Sequence, residues 1–297
     1  MNDLLTILVT GLAQGVPIFI VASGLTLIYG VLHVLNFAHG GFFLIGAFIL
    51  TSTIQGGSLG SFFGAVLIAG LGVMIVGIVS ELLVFRPLYK AGPTVSFLGA
   101  FALFLALLGL AIVVWGTNPR TVRYPDALDG SFTVAGARIG EYDVAMVVLG
   151  GVIAVGLWLL LSKTSLGMRV RAVSHDRTMA LALGIRVGRV STTVFAIGAF
   201  LAGVAGALIA PVSSIDEGLA LSTDYMLPAF IVIIVGGLGS VPGALVAAMA
   251  LGVLESVIFR AAPDLSGFSY YLVVALFLMF RPQGLFGSSS RSIQMAR

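Results

Sequence analysis

The sequence predicts an all-α polytopic membrane protein of about eight to nine transmembrane helices, some of them interrupted or re-entrant. Three observations point there. Residues 4–80 contain no Asp, Glu, Lys or Arg, and further uncharged runs follow at 91–119, 144–162, 190–215, 225–254 and 265–280. The chain is 59% hydrophobic and 9% charged, with a mean hydropathy of +1.15, whereas globular domains are roughly a quarter charged. No alternation of period two runs through the apolar stretches, so helices rather than a barrel satisfy the backbone in hydrocarbon.

Nine apolar segments follow in order, at 4–30, 34–54, 61–84, 94–115, 144–162, 191–211, 225–240, 243–260 and 269–281. The first lacks a basic leader and reads as a retained span, not a cleaved signal peptide. The segments near 34–54 and 225–260 are glycine-rich and broken, so one or more is expected to be a half-helix. The chain's 39 glycines suit close helix packing where lipid provides no hydrophobic drive. With nearly all of the sequence in or between spans, residues 1–297 are expected to form a single transmembrane domain.

Loop charge sets the orientation. The link at 163–190 carries Lys163, Arg169, Arg171, Arg177, Arg186 and Arg189 against Asp176 alone. Arg86, Lys90, Arg281, Arg291 and Arg297 fall on the same side by alternation, which collects 11 of the 15 Lys and Arg there. The opposite links are acidic or mixed, with Asp216, Glu217 and Asp224 in one and Arg120, Arg123 and Arg138 against Asp126, Asp129, Glu141 and Asp143 in the other. The expected topology places the N-terminus outside and the C-terminus and the 163–190 loop in the cytoplasm.

That loop is long and patterned. Met168, Ala172, Met179, Leu183 and Val187 recur at helical spacing beside Arg169, Asp176 and Arg177. Ser174 or Asp176 is placed to cap a short helix ending near Gly184. Such an element fits a groove on another protein, or lies on anionic headgroups.

Three stretches carry a resemblance. Residues 24–48 (GLTLIYGVLHVLNFAHGGFFLIGAF), 165–185 (SLGMRVRAVSHDRTMALALGI) and 236–256 (GGLGSVPGALVAAMALGVLES) occur in order. They resemble the inner-membrane permease subunits of bacterial branched-chain amino acid ABC importers, the LivH type. The resemblance implies that the loop docks on an ATPase through Arg169, Arg171, Ala172, Asp176, Ala180 and Gly184. It implies three kinds of partner besides membrane lipid: a related permease of the LivM type, two ABC ATPase subunits holding ATP and Mg, and a periplasmic solute-binding protein. It also implies ATP-driven alternating access in the bacterial inner membrane. Branched-chain amino acids are the implied substrates, with urea, short amides or other small carboxylates as the alternative.

Candidate path residues are Tyr29, Asn36, His39 and Gly40 near the first break and Gly236, Gly237 and Gly239 near the second. Breaks expose backbone N–H and C=O groups that must face protein or a wet cavity, and these would meet a zwitterion without dedicated charges. The same Asn and His also suit the simpler task of tying helices together. A short echo pairs Gly46 and Ala47 with Gly243 and Ala244, which sets Gly40 on Gly237. Glu255 reads as a helix-end or subunit-contact residue, with a cavity group as the other reading. Glu81 and Arg86 read as an interfacial pair.

Other classes lose support. No G-x-x-x-x-G-K-[ST] run exists, so no phosphate-cradling loop and no ATPase are expected within the chain. There are no cysteines and only three histidines, His33, His39 and His175, at spacings that do not build a metal site. No catalytic group and no resident cofactor are expected. Basic residues are not interleaved with aromatics, which argues against nucleic acid. An ion-coupled secondary transporter would need intramembrane carboxylates beyond Glu81 and Glu255.

Overall fold

The computed structural model describes residues 2–89, 91–134, 136–215, 219–265, 268–281 and 284–286. The helices are α1 (Asn2–Leu32), α2 (Ala38–Thr53), α3 (Leu59–Ser80), α4 (Arg86–Leu88), α5 (Pro93–Trp115), α6 (Glu141–Lys163), α7 (Ser165–His175), α8 (Arg177–Ala182), α9 (Val187–Ile209), α10 (Leu219–Gly236), α11 (Val241–Ala261) and α12 (Phe268–Phe280). All nine apolar segments are helical. The spans 4–32, 59–88, 94–115, 141–163, 187–209 and 241–261 are long and apolar enough to cross a bilayer, while α2, α10 and α12 hold shorter apolar stretches. The chain is a multi-pass membrane protein.

Several boundaries pass the apolar limits for physical reasons. Helix α6 starts at Glu141, because Glu141 and Asp143 in its first turn face the positive end of the helix dipole. Helix α3 continues through a π-helical turn, Glu81–Phe85, into α4, so the span carries both Glu81 and Arg86. One element was absent from the sequence reading. The link between α5 and α6 folds into a two-stranded antiparallel hairpin of β1 (Ser131–Val134) and β2 (Ala137–Gly140), with Phe132 opposite Ile139.

Helix α1 lies along α9 and α11, α3 lies along α9, and α2 is wedged among α3, α5 and α9. At the α1–α9 crossing a Cβ on Gly24 would stand 2.8 Å from the Gly198 carbonyl oxygen. One on Gly198 would stand 2.9 Å from that of Gly24. The neighbours repeat in pairs: α1 with α11 as α9 with α3, and α1 with α10 as α9 with α2. That pattern relates α1–α3 to α9–α11 and sets α2 against α10. The glycine echo, which aligned α2 with α11, does not follow this pattern of neighbours. Gly46 makes room for Gly203 of α9, whereas Gly243 makes room for Gly236. Glycine is common enough here for two unrelated contacts to share a short pattern.

The core is aromatic and aliphatic, with Phe19, Phe42, Phe43, Phe48, Phe62, Phe85 and Phe195 wholly buried. Outward faces of α3, α5, α6 and α12 expose Leu67, Val113, Val152 and Met279, as lipid-facing helices do. At one end, the hairpin end, Arg120 and Ile215 exchange backbone hydrogen bonds of 2.8 and 2.9 Å. The opposite, basic end gathers α7, α8, Arg86 and Arg281. Lys90, Asp216, Glu217, Arg291 and Arg297 lie outside the described residues.

Candidate coupling and translocation elements

The predicted loop helix is two helices at a corner. Thr164 closes α6 by donating to the Leu160 carbonyl at 2.5 Å and caps α7 by accepting from the Gly167 N–H at 3.2 Å. A Cβ at Gly167 would stand 2.0 Å from the Leu161 carbonyl oxygen, so the turn from α6 into α7 admits only glycine. Asp176 caps α8, its Oδ1 accepting from the Thr178 and Met179 N–H groups at 2.9 Å each. Of the two capping candidates, Asp176 takes the role. Ser174 instead donates to the Gly30 carbonyl of α1. Helix α8 closes at Gly184, with φ +79°, where the Ile185 N–H reaches back to the Ala180 carbonyl at 3.0 Å. This is the left-handed helix stop that glycine favours.

The exposed and buried faces divide the loop residues. Arg169, Asp176 and Gly184 are exposed, alongside the large apolar side chains Met168, Met179, Leu181 and Leu183. Ala172 is half-buried. Ala180 is 2% exposed, so it packs α8 onto its own chain and presents no surface to a partner. Arg171 is exposed, yet its guanidinium folds back to donate to the Leu161 carbonyl at the end of α6. Arg177 lies over the ring of Tyr89, 5.9 Å from its centroid.

Tyr89 leads to a second anchor. Its hydroxyl donates to Glu81 Oε1 at 3.2 Å. Arg86 reaches Glu81 Oε2 at 3.1 Å and Thr192 of α9 at 2.6 Å. The expected Glu81–Arg86 pair is thus present, within a wider knot. Burial first, and then the Glu81 carboxylate, push the Tyr89 phenol well above its ordinary pKa, which keeps it a donor. The α7–α8 unit is thereby tied to α1 through Ser174, to α6 through Arg171, and toward α3 and α9 through Arg177 and Tyr89.

The first break folds back along α1. Helix α1 ends in His33 at φ +53°, a left-handed conformation uncommon for a residue with a Cβ. The chain then turns back, and the Asn36 side-chain oxygen accepts the Ala38 N–H at 3.1 Å. His39 Nε2 lies 3.2 Å from the Val21 carbonyl oxygen. Val21 is 11 residues before the end of α1, or about 16 Å along its axis. Helix α2 therefore starts well back along α1 and, at 16 residues, is shorter than a hydrocarbon core ~30 Å thick, in keeping with the half-helix that the sequence suggested. Phe37, beside that start, contacts Phe97, Phe101 and Phe230.

The candidate path residues do not form one site. Asn36, His39 and Gly40 are buried at the start of α2, where a Cβ on Gly40 would meet Met226 at 2.8 Å. Gly236, Gly237 and Gly239 form the turn between α10 and α11, with φ +101° at Gly237 and +87° at Gly239. Tyr29 is half-buried near the C-terminal end of α1, and the next residue, Gly30, stands beside both Ser174 and Gly239. The buried atoms Thr26 Oγ1, Asn36 Nδ2, His39 Nδ1 and Ser191 Oγ have no hydrogen-bond partner. They are polar groups of the kind a rearranged or hydrated state would satisfy. Nothing in the sequence singles out Thr192, and it offers Ser174 only as a cap; their hydroxyls join segments more than 100 residues apart, a distance that no local pattern encodes. Glu255 is half-buried near the end of α11, close in sequence to Arg260.

The chain is similar to known proteins over most of its length. The family described as branched-chain amino acid transport system permease component matches residues 7–280. BraD of Pseudomonas aeruginosa, a high-affinity branched-chain amino acid transport permease protein, is 31% identical, covering 94% of each chain. A probable branched-chain amino acid transport permease, LivH of Methanocaldococcus jannaschii, is 28% identical over 90% of this chain and 88% of its own. The ribose import permease RbsC of Haemophilus influenzae is 26% identical, over 62% of this chain and 57% of its own. No solved structure matches.

Proposed function

Because the chain belongs to the family of branched-chain amino acid transport system permease components, we propose that it forms one half of the membrane pathway of an ABC importer for branched-chain or related amino acids. The match over residues 7–280 carries the reading. The basic corner of α7 and α8, anchored on α1, α6 and the Tyr89–Glu81 knot, supports it mechanically.

In this reading α7 and α8 lie in the cytoplasm of a bacterial inner membrane and rest on an ABC ATPase. Met168, Met179 and Leu183 enter its groove while Arg169 and Arg177 meet its rim. ATP and Mg are held by two such ATPase subunits. A second permease of the LivM type completes the pathway, and a periplasmic binding protein delivers substrate to the hairpin end. When the ATPases close, α7 moves and carries the inner end of α1 through Ser174 and the Gly237–Gly239 turn through Gly30. The start of α2, well back along α1, is the second moving point, where unpartnered Asn36 and His39 atoms become available to a zwitterion. A pathway of neutral groups suits a transporter whose energy comes from ATP and whose selection is made by the binding protein.

The test is purification and reconstitution. The chain should co-purify with ATPase subunits, and vesicles holding the full set should accumulate leucine, isoleucine or valine only with ATP and binding protein. Accumulation by this chain alone under a proton or sodium gradient would replace the reading with secondary transport.

A further inference from the structure

Arg171 belongs to two hollows at once. One, of about 360 Å³, is an apolar crevice among α1, α6 and α11, lined by Phe19, Ala154, Val155, Trp158 and Leu245. The other, of about 470 Å³, lies at the basic end and is lined by Thr26, Ser174, His175 and Ser240. Leu161, Arg171, Val241 and Pro242 line both, so the hollows adjoin at the guanidinium. Among the described residues no Asp or Glu lines either one. The neighbouring acid, Asp176, is engaged with the N–H groups of α8.

We propose that these adjoining hollows together bind one anionic glycerophospholipid, with an acyl chain along Phe19 and Trp158 and the phosphate beside Arg171. Charge and polarity select that occupant. The apolar part opens on α6, whose outer face exposes Val152, Val155 and Leu159 as a lipid-facing helix does. The polar part lies beneath a loop with six basic residues and one acid. Trp158, with Lys163 Nζ 5.8 Å from its ring centroid, marks the headgroup level. Basic pockets between transmembrane helices recognise anionic headgroups by this combination. A free phosphate would use the polar part only and leave the apolar crevice unfilled. Because Arg171 is on α7 and the crevice walls are α6 and α11, the lipid braces the turn at Gly167.

The test uses the full chain with the subunits it retains, purified in mild detergent and exchanged into vesicles of phosphatidylethanolamine with and without phosphatidylglycerol. Native mass spectrometry then reads the lipid that remains bound. Wild type should retain phosphatidylglycerol in preference to phosphatidylethanolamine, and excess inorganic phosphate should not displace it. Arg171→Gln should reduce that preference about fivefold, the effect of one basic charge at a membrane surface. Val155→Trp, at a lipid-exposed position, fills the crevice while sparing Arg171, and should lower retention of both lipids. Equal retention of the two lipids by wild type, or retention untouched by Val155→Trp, overturns the proposal. So does displacement by inorganic phosphate alone, which marks a free-anion site. Bound lipid, not transport, is the readout, so failure here is separate from failure of the ABC importer reading.

Discussion

Glu81 has no exposed side-chain surface, and the Arg86 guanidinium and the hydroxyls of Tyr89 and Thr192 converge on its carboxylate. A lone carboxylate at this depth would be costly, and these donors offset the desolvation. Glu81→Ala strands them and should cost about 1–3 kcal/mol, read as a lower melting temperature in detergent. An unchanged melting temperature would mean that water replaces the carboxylate easily. Gly237 is the other telling residue. Its φ of +101° excludes ordinary side chains, and Gly284 packs against its backbone. Gly237→Leu should abolish uptake while the protein still reaches the membrane. Normal uptake by that variant would show that the turn has slack.

Among the elements, the α7–α8 corner depends on a single cap. Asp176→Ala removes the acceptor for two N–H groups of α8 and should cost about 1 kcal/mol locally. The expected results are faster amide exchange over 177–182 and ATP hydrolysis with less uptake per ATP. Asp176→Asn keeps an acceptor and should restore both. If both variants behave alike, charge rather than capping is what matters at this position. This corner was readable in advance to an instructive degree. Helical spacing found the apolar face, and Asp176 and Gly184 marked the stops, because caps and left-handed residues are local chemistry. The inward turn of Ala180 and the folding back of Arg171 depend on α6 and α9 as neighbours, so the loop's own residues could not reveal them. The nine apolar segments were likewise legible, since hydropathy reports the solvent directly. The hairpin of β1 and β2 was not, because two strands of four residues hold too little periodicity.

For the whole molecule, sidedness is the sharpest expectation. The chain has no cysteine, so single substitutions can report which side each end faces. Phe132→Cys lies in the exposed hairpin and Met179→Cys on the exposed face of α8. In intact cells an impermeant maleimide should label the first and spare the second until the membrane is opened. The reverse pattern would put the basic end outside and remove the ATPase-docking role.

The set-back start of α2 also constrains how the polypeptide can be made. Its 16 residues rise about 24 Å, short of the ~30 Å core, and its side chains rest mostly on α3, α5 and α9 rather than on lipid. Helix α9 leaves the ribosome some 130 residues after α2 has emerged. Until then the newborn chain carries a segment that neither the insertion machinery nor the surrounding lipid can hold at its final depth. Ribosome-stalled chains ending before α9 should therefore leave residues 38–53 open to protease, and chains extended beyond it should not.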